Sequence, residues 1–238
     1  MNNTHQTHTD LLTPSSVGWG MDIILNDAGK RFNRDWIFRH VTFTFNTGVS
    51  YAITGPNGSG KSTLLQAIAG SLYMSEGSLA YQTSEQDKQS IENETNKSDG
   101  IEPENIFRYI SMAAPYLELI EEMTAKEFLY FHHRFKPLTT IVAIEEILSL
   151  IGLEKATNKQ IRYFSSGMKQ RIKLAQAIFS DVPVLLLDEP CTNLDRSGYE
   201  LYHSLINNYC KSKLIIVSSN DMQEMDFCEK KINILAYK

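Results

Sequence analysis

Eight residues, Gly55-Pro-Asn-Gly-Ser-Gly60-Lys61-Ser62, constrain this chain more than any other stretch. They satisfy the pattern G-x-x-x-x-G-K-[ST], and their surroundings are those the pattern needs. The apolar run Val49 to Thr54 precedes them. Leu64, Leu65, Ile68, Ala69 and Leu72 follow at helical spacing. Glycines let such a loop curl until successive backbone N–H groups point inward as an anion nest, and the helix start adds its dipole. Lys61 stands at the helix start, where an ammonium reaches the outer phosphates of a nucleotide, and Ser62 offers a hydroxyl to Mg²⁺. An ordinary glycine turn with a solvated lysine requires neither flanking element.

A phosphate site needs a metal-holding carboxylate, and Val184-Leu-Leu-Leu187-Asp188-Glu189 supplies one. Four apolar residues predict a buried strand, and Asp188 emerges at its C-terminal end, where ligands sit in parallel sheets. Asp188 is expected to hold Mg²⁺ and Glu189 to polarise an attacking water. Beyond these motifs, strands are expected at Met21–Asn26, Val41–Asn46, Gly77–Tyr81, Arg108–Met112, Lys213–Val217 and Ile232–Leu235. Thr124-Ala-Lys-Glu127 is a capping box that starts a helix. Ile141, Ile144, Ile147, Leu148 and Ile151 form an apolar stripe stopped by Gly152. A third helix starts at Ser165-Ser166. Strands separated by helices imply a parallel sheet covered on both faces.

Residues 1–19 read as a weakly ordered leader whose His5 and His8 belong to a frayed tail rather than a metal site. They contain neither the basic start nor the apolar core of a secretory signal. Residues 82–104 are rich in Ser, Glu, Asn, Lys and Asp and read as a solvated loop insertion. The 23 Lys and Arg against 28 Asp and Glu leave a net charge of −5, which argues against sequence-independent nucleic-acid binding. Three cysteines, Cys191, Cys210 and Cys228, form no Cys-x-x-Cys pair, so a disulfide framework and a zinc knuckle are both disfavoured. The longest apolar runs are strand-length, far below the ~20 residues of a spanning helix.

Between the two phosphate-site motifs lies Tyr163-Phe-Ser165-Ser166-Gly167-Met168-Lys-Gln-Arg171, and Asn193-Leu194-Asp195 follows them. With these segments, residues from about 20 to 238 resemble the ATP-binding cassette family. Phe164 to Met168 stand where that family carries its signature, and Leu194-Asp195 where it carries its D-loop. The resemblance implies an α/β fold: a P-loop NTPase core on a parallel sheet, an antiparallel β subdomain and an inserted α-helical subdomain at about 114–177. It implies ATP and Mg²⁺ as ligands. Gly55, Pro56, Asn57, Gly58, Ser59, Gly60, Lys61, Ser62 and Thr63 would bind the phosphates, and Phe32 would stack on adenine, with Trp36 as its competitor. Ser165, Ser166, Gly167 and Asp195 of a second cassette, another copy of this chain in a homodimer, would close over the nucleotide. A separate transmembrane permease would dock near Tyr116 to Phe135, on the cytoplasmic face of the inner membrane.

Two positions depart from the family. Pro115, within about one residue, stands where a metal-touching glutamine is usual, so that contact would be lost or replaced by water. Asn220 stands where a histidine is usual. An amide donates a neutral hydrogen bond but carries no proton, so slower hydrolysis is expected. The leading expectation is therefore a transporter ATPase, and the alternative is a nucleotide-gated regulatory cassette with weak turnover. A kinase or GTPase would share the phosphate loop without needing Ser165–Arg171 or Leu194-Asp195. A cassette acting on DNA or ribosomes would be expected to carry a long coiled coil or two cassettes.

Overall fold

A computed structural model describes residues 20–83 and 100–238. The leader, His5, His8 and most of the polar stretch lie outside the described residues. Strands β1 (Met21–Phe32), β2 (Asp35–Phe45) and β4 (Glu76–Thr83) form an antiparallel sheet in the order β2-β1-β4. Five parallel strands form the second sheet: β3 (Ser50–Thr54), β5 (Ile110–Ala113), β6 (Val184–Asp188), β7 (Leu214–Ser218) and β8 (Lys230–Asn233). Their spatial order is β5-β6-β7-β3-β8. Every residue of β6 and β7 is buried, as expected of a parallel sheet covered on both faces. Each large aliphatic side chain sequestered there stabilises the fold by roughly 1.5–3 kcal/mol.

Among the described residues five α-helices pack around the sheets: α1 (Lys61–Ile68), α2 (Ala125–Phe135), α3 (Ile144–Leu150), α4 (Ser166–Ile178) and α5 (Arg196–Tyr209). The capping box at α2 is complete: Thr124 Oγ1 accepts from the Glu127 N–H, and the Glu127 carboxylate accepts from the Thr124 N–H at 2.8 Å. Gly152 takes φ 69°, the left-handed conformation that stops a helix.

Several boundaries differ from the sequence reading. β1 and β2 run much further than Met21–Asn26 and Val41–Asn46, because cross-strand pairing continues to Phe32 opposite Asp35. Gln82 and Thr83 pair with Asp22 and Met21 in β4 rather than looping, and Pro103–Arg108 is a 3-10 turn that buries Ile106. Ile141 stands exposed before α3 and outside its buried stripe. The final strand ends at Asn233, and Ile234–Tyr237 turn as a 3-10 helix. Helix α5 buries Tyr202, Leu205 and Ile206, a helical spacing that periodicity alone could have revealed.

Candidate nucleotide site

The sheet order brings the chemistry to one edge. The chain leaves β5 into Ala114–Leu117, β6 into Glu189, β7 into Ser219–Asn220 and β3 into Gly55–Gly60. These four exits lie side by side at the C-terminal ends of adjacent strands. This is where parallel sheets place ligands.

The loop after β3 is built by its glycines. Gly55, Gly58 and Gly60 have φ 148°, 75° and 101°. Gly60 caps α1 in the left-handed region, and a Cβ there would lie 2.5 Å from Ile37 Cγ2 of β2. Helix α1 begins with no side-chain cap and no acidic residue in its first turn, so its first N–H groups and dipole remain available to an anion. Lys61 is buried, with Nζ donating to the carbonyls of Gly55 at 2.9 Å and Pro56 at 3.3 Å. That keeps the positive charge at the loop. Ser59 Oγ is buried within the loop and has no hydrogen-bond partner among the described residues. Ser62 and Thr63 are half-buried on the first turn of α1.

Asp188 ends β6 only 1% exposed, and its Oδ1 has no hydrogen-bond partner among the described residues. A buried anionic oxygen left unpaired is costly, and a cation would satisfy it. Among the described residues no three His, Cys, Asp or Glu side chains cluster as a metal cage. One carboxylate with a serine hydroxyl suits Mg²⁺, which keeps its waters and takes further oxygens from phosphates. Mg²⁺ therefore fits Asp188 and Ser62.

Glu189 follows with φ 42°, a left-handed conformation costing a residue other than glycine on the order of 1–3 kcal/mol. The surroundings enforce it. Its N–H donates to Ser218 O at 2.9 Å, Gln170 Nε2 of α4 donates to Pro190 O at 2.6 Å, and the Cys191 N–H donates to Glu224 Oε1 at 2.7 Å. Gln170 and Glu224 are both buried, and sequence reading missed both. A polar side chain on the apolar face of α4, and an acid three residues beyond Asp221, were the available signals. Burial raises the Glu224 carboxyl above the usual range, although the hydrogen bond from the Cys191 N–H opposes that.

Asn220 Nδ2 donates to Asn57 Oδ1 at 3.1 Å, which joins the end of β7 to the phosphate loop. Pro115 was expected to leave its position without a polar side chain, but the next residue brings one. Tyr116 is 45% exposed, and partial burial of its hydroxyl, with the Asp188 charge nearby, pushes its pKa up to about 12.

Phe32 closes β1 with its ring 46% exposed and Lys30 Nζ 5.1 Å from the centroid. Trp36 is engaged by two guanidinium groups, Arg39 at 4.2 Å and Arg31 at 5.5 Å. Phe32 is thus the more open ring, on a hairpin that touches the phosphate loop through Ile37.

The remaining residues cluster around the starts of α4 and α5. Ser165 caps α4 by accepting from the Met168 N–H, Ser166 begins the helix, and both are exposed. At Gly167 an added Cβ would lie 3.1 Å from Asn193 O, so the helix start packs directly on the segment before α5. Asp195 caps α5 by accepting from Gly198 N–H and the Ser197 hydroxyl, and Arg171 Nη2 lies 3.6 Å from it. These hydrogen bonds hold the Asp195 carboxyl below the usual carboxylate range.

The ABC transporter family profile matches residues 38–192, which include the phosphate loop, Asp188-Glu189 and the start of α4. The cytochrome c biogenesis ATP-binding export protein CcmA of Agrobacterium fabrum is 30% identical over 202 residues, spanning 84% of this chain and 88% of CcmA. The uncharacterized ABC transporter ATP-binding protein YybJ of Bacillus subtilis is 29% identical over 197 residues, spanning 82% of this chain and 84% of YybJ. A putative ABC transporter ATP-binding protein of Pyrococcus furiosus has the same fold, with TM-score 0.71 at 19% identity over 91% of this chain and 99% of the other. The dimeric bacterial cassette MJ0796 superimposes with TM-score 0.69 at 22% identity over 89% and 94% of the two chains. The chain therefore belongs to the ABC transporter family, of which it is an ATP-binding cassette.

Proposed function

We propose that this cassette binds ATP at Gly55–Thr63 and hydrolyses it in a site completed by a second copy, thereby driving a separate membrane-spanning partner. One observation carries the reading. The phosphate loop, Asp188, Glu189 and Asn220 share the edge formed by β6, β7 and β3, whereas Ser165 and Ser166 stand exposed at the start of α4, where the Ser165 hydroxyl accepts from the Met168 N–H and Gly167 packs against Asn193 O. Exposed hydroxyls and N–H groups at a helix start are donors suited to a γ-phosphate presented by another chain.

In this reading the loop amides and Lys61 neutralise the phosphates, and Phe32 stacks on adenine. Bound Mg²⁺ would draw charge from the β- and γ-oxygens. Ser62 and Asp188 would hold the metal, while Glu189 orients a water and accepts its proton as the γ-phosphate bond breaks. Asn220 contributes a neutral hydrogen bond to the γ-phosphate. Asp195 and Arg171 brace the partner-facing cluster. No helix among the described residues is long and apolar enough to cross a membrane. In this reading the moving partner is a second polypeptide. It is taken to dock on the region Tyr116–Phe135, within residues 114–177, at the cytoplasmic face of the inner membrane.

Turnover and light scattering of the purified chain test this. The wild type is expected to hydrolyse ATP only with Mg²⁺. Glu189→Gln is expected to lose hydrolysis and to accumulate as an ATP-bound dimer. Turnover persisting in Glu189→Gln overturns the assignment. A wild type that dimerises with ATP but does not hydrolyse it supports the regulatory alternative, which the amide at position 220 favours.

A further inference from the structure

Asn220 is exposed, so packing of its own side chain does not fix where its amide points. The backbone on either side sets its place. Before it, Ser219 is fully buried, and its N–H donates to Ile53 O at 3.3 Å. After it, Asp221 is tied three ways. Its N–H donates to the Ser219 hydroxyl at 2.9 Å, Oδ1 accepts from the Gln223 N–H at 2.8 Å, and Oδ2 accepts from the Tyr199 hydroxyl at 2.8 Å. The first two bonds lie within the turn itself. The third comes from another element, helix α5.

Helix α5 grips this turn twice. Tyr202, three residues after Tyr199 and so on the same helix face, is fully buried and donates to Glu224 O at 2.9 Å. Tyr202 thereby holds the far end of the turn, and Tyr199 holds the residue that adjoins Asn220. The direction of the Tyr199 bond is fixed, because a carboxylate can only accept. Desolvation and the bond to Asp221 both raise the pKa of the phenol, so its proton stays in place to be donated. A hydrogen bond to an ionised acceptor is roughly twice as strong as a neutral one.

We propose that Tyr199 is a positioning residue for γ-phosphate recognition: by holding Asp221 against α5, it keeps the Asn220 amide beside Asn57 of the phosphate loop, where Nδ2 donates at 3.1 Å. An amide nitrogen carries two hydrogens, so the one not given to Asn57 remains for a phosphate oxygen. The inference rests on the reading that Asn220 meets the γ-phosphate. A simple brace between helix and turn would stabilise the fold without bearing on which phosphate is recognised.

The test measures the affinity of the purified chain for a fluorescent non-hydrolysable ATP analogue and for ADP carrying the same fluorophore, both with Mg²⁺. ADP lacks the phosphate that Asn220 would meet. Tyr199→Phe keeps the ring and removes only the hydroxyl. It is expected to lower the preference for the analogue over ADP about threefold, the scale of one neutral hydrogen bond. ADP affinity is expected to stay within about twofold, which a general structural lesion would not allow. Asn220→Ala is expected to lower the preference by a similar factor, and the double variant to go little further, as members of one unit do. Asp221→Asn keeps an oxygen for the Gln223 N–H and removes the charge that holds the phenol, so it is expected to shift the preference the same way by less. If Asn220→Ala lowers the preference while Tyr199→Phe leaves it unaltered or weakens both ligands equally, the inference is overturned. A preference that survives Asn220→Ala overturns the γ-phosphate role of Asn220, and this inference with it.

Discussion

Glu224 is a buried acid whose removal is expected to strengthen the protein. It is 3% exposed, its Oε1 accepts the Cys191 N–H at 2.7 Å, and its Oε2 has no hydrogen-bond partner among the described residues. Burial raises its pKa, and the charges of Asp221 and Glu189 act in the same sense. Glu224→Gln keeps an oxygen for Cys191 and replaces the unpartnered anionic oxygen with a neutral amide. The sign follows from linkage. A carboxyl whose folded pKa is raised binds more protons folded than unfolded between the two values. Its penalty is therefore absent below the unfolded pKa, about 4.3, and grows as pH rises through the folded one. An unpaired buried polar oxygen costs about 1–3 kcal/mol. At pH 8 Glu224→Gln is thus expected to be more stable by about 1–2 kcal/mol, which for a chain of this size raises Tm by about 2–8 °C. At pH 4 the two proteins are expected to agree within about 0.5 kcal/mol. Urea or thermal denaturation at several pH values measures the difference, and every other titrating group cancels between the two. A stability gap that does not widen with pH, or a Gln variant that is weaker at pH 8, refutes the reasoning.

Gly60→Ala is expected to destabilise the chain by about 2 kcal/mol and to abolish ATP-analogue binding, since it strains φ 101° and drives a methyl group into Ile37. Thermal melts and analogue titration check it, and a variant that melts and binds like the wild type contradicts the loop geometry. Asn220→His is expected to raise ATP turnover several-fold below pH 7, where an imidazole gains charge beside Asn57. Unaltered turnover would show that position 220 does not limit hydrolysis.

Local signals were strong wherever one residue type alone meets a steric or hydrogen-bonding demand. The glycines of the phosphate loop, the Thr124–Glu127 capping box and Gly152 were legible because their constraints span a few residues. Strand ends were less so. β1 and β2 extend past their apolar alternation because each supplies the other's hydrogen bonds, and Gln82–Thr83 joined β4 for the same reason. Gln170 and Glu224 were illegible as site residues. Their partners Pro190 and Cys191 are 20 and 33 positions away, and no local pattern records such pairings.

The order of residues along the chain was enough to establish a phosphate-binding α/β cassette, because a glycine loop between strand and helix and an acid ending an apolar strand each answer to short-range physics. Only the tertiary structure decided which side chains stand beside Asp188 and Glu189. Strand order, rather than sequence distance, makes β5, β6, β7 and β3 neighbours. Hydrogen bonds between their exits are long-range consequences of burying both faces of one sheet.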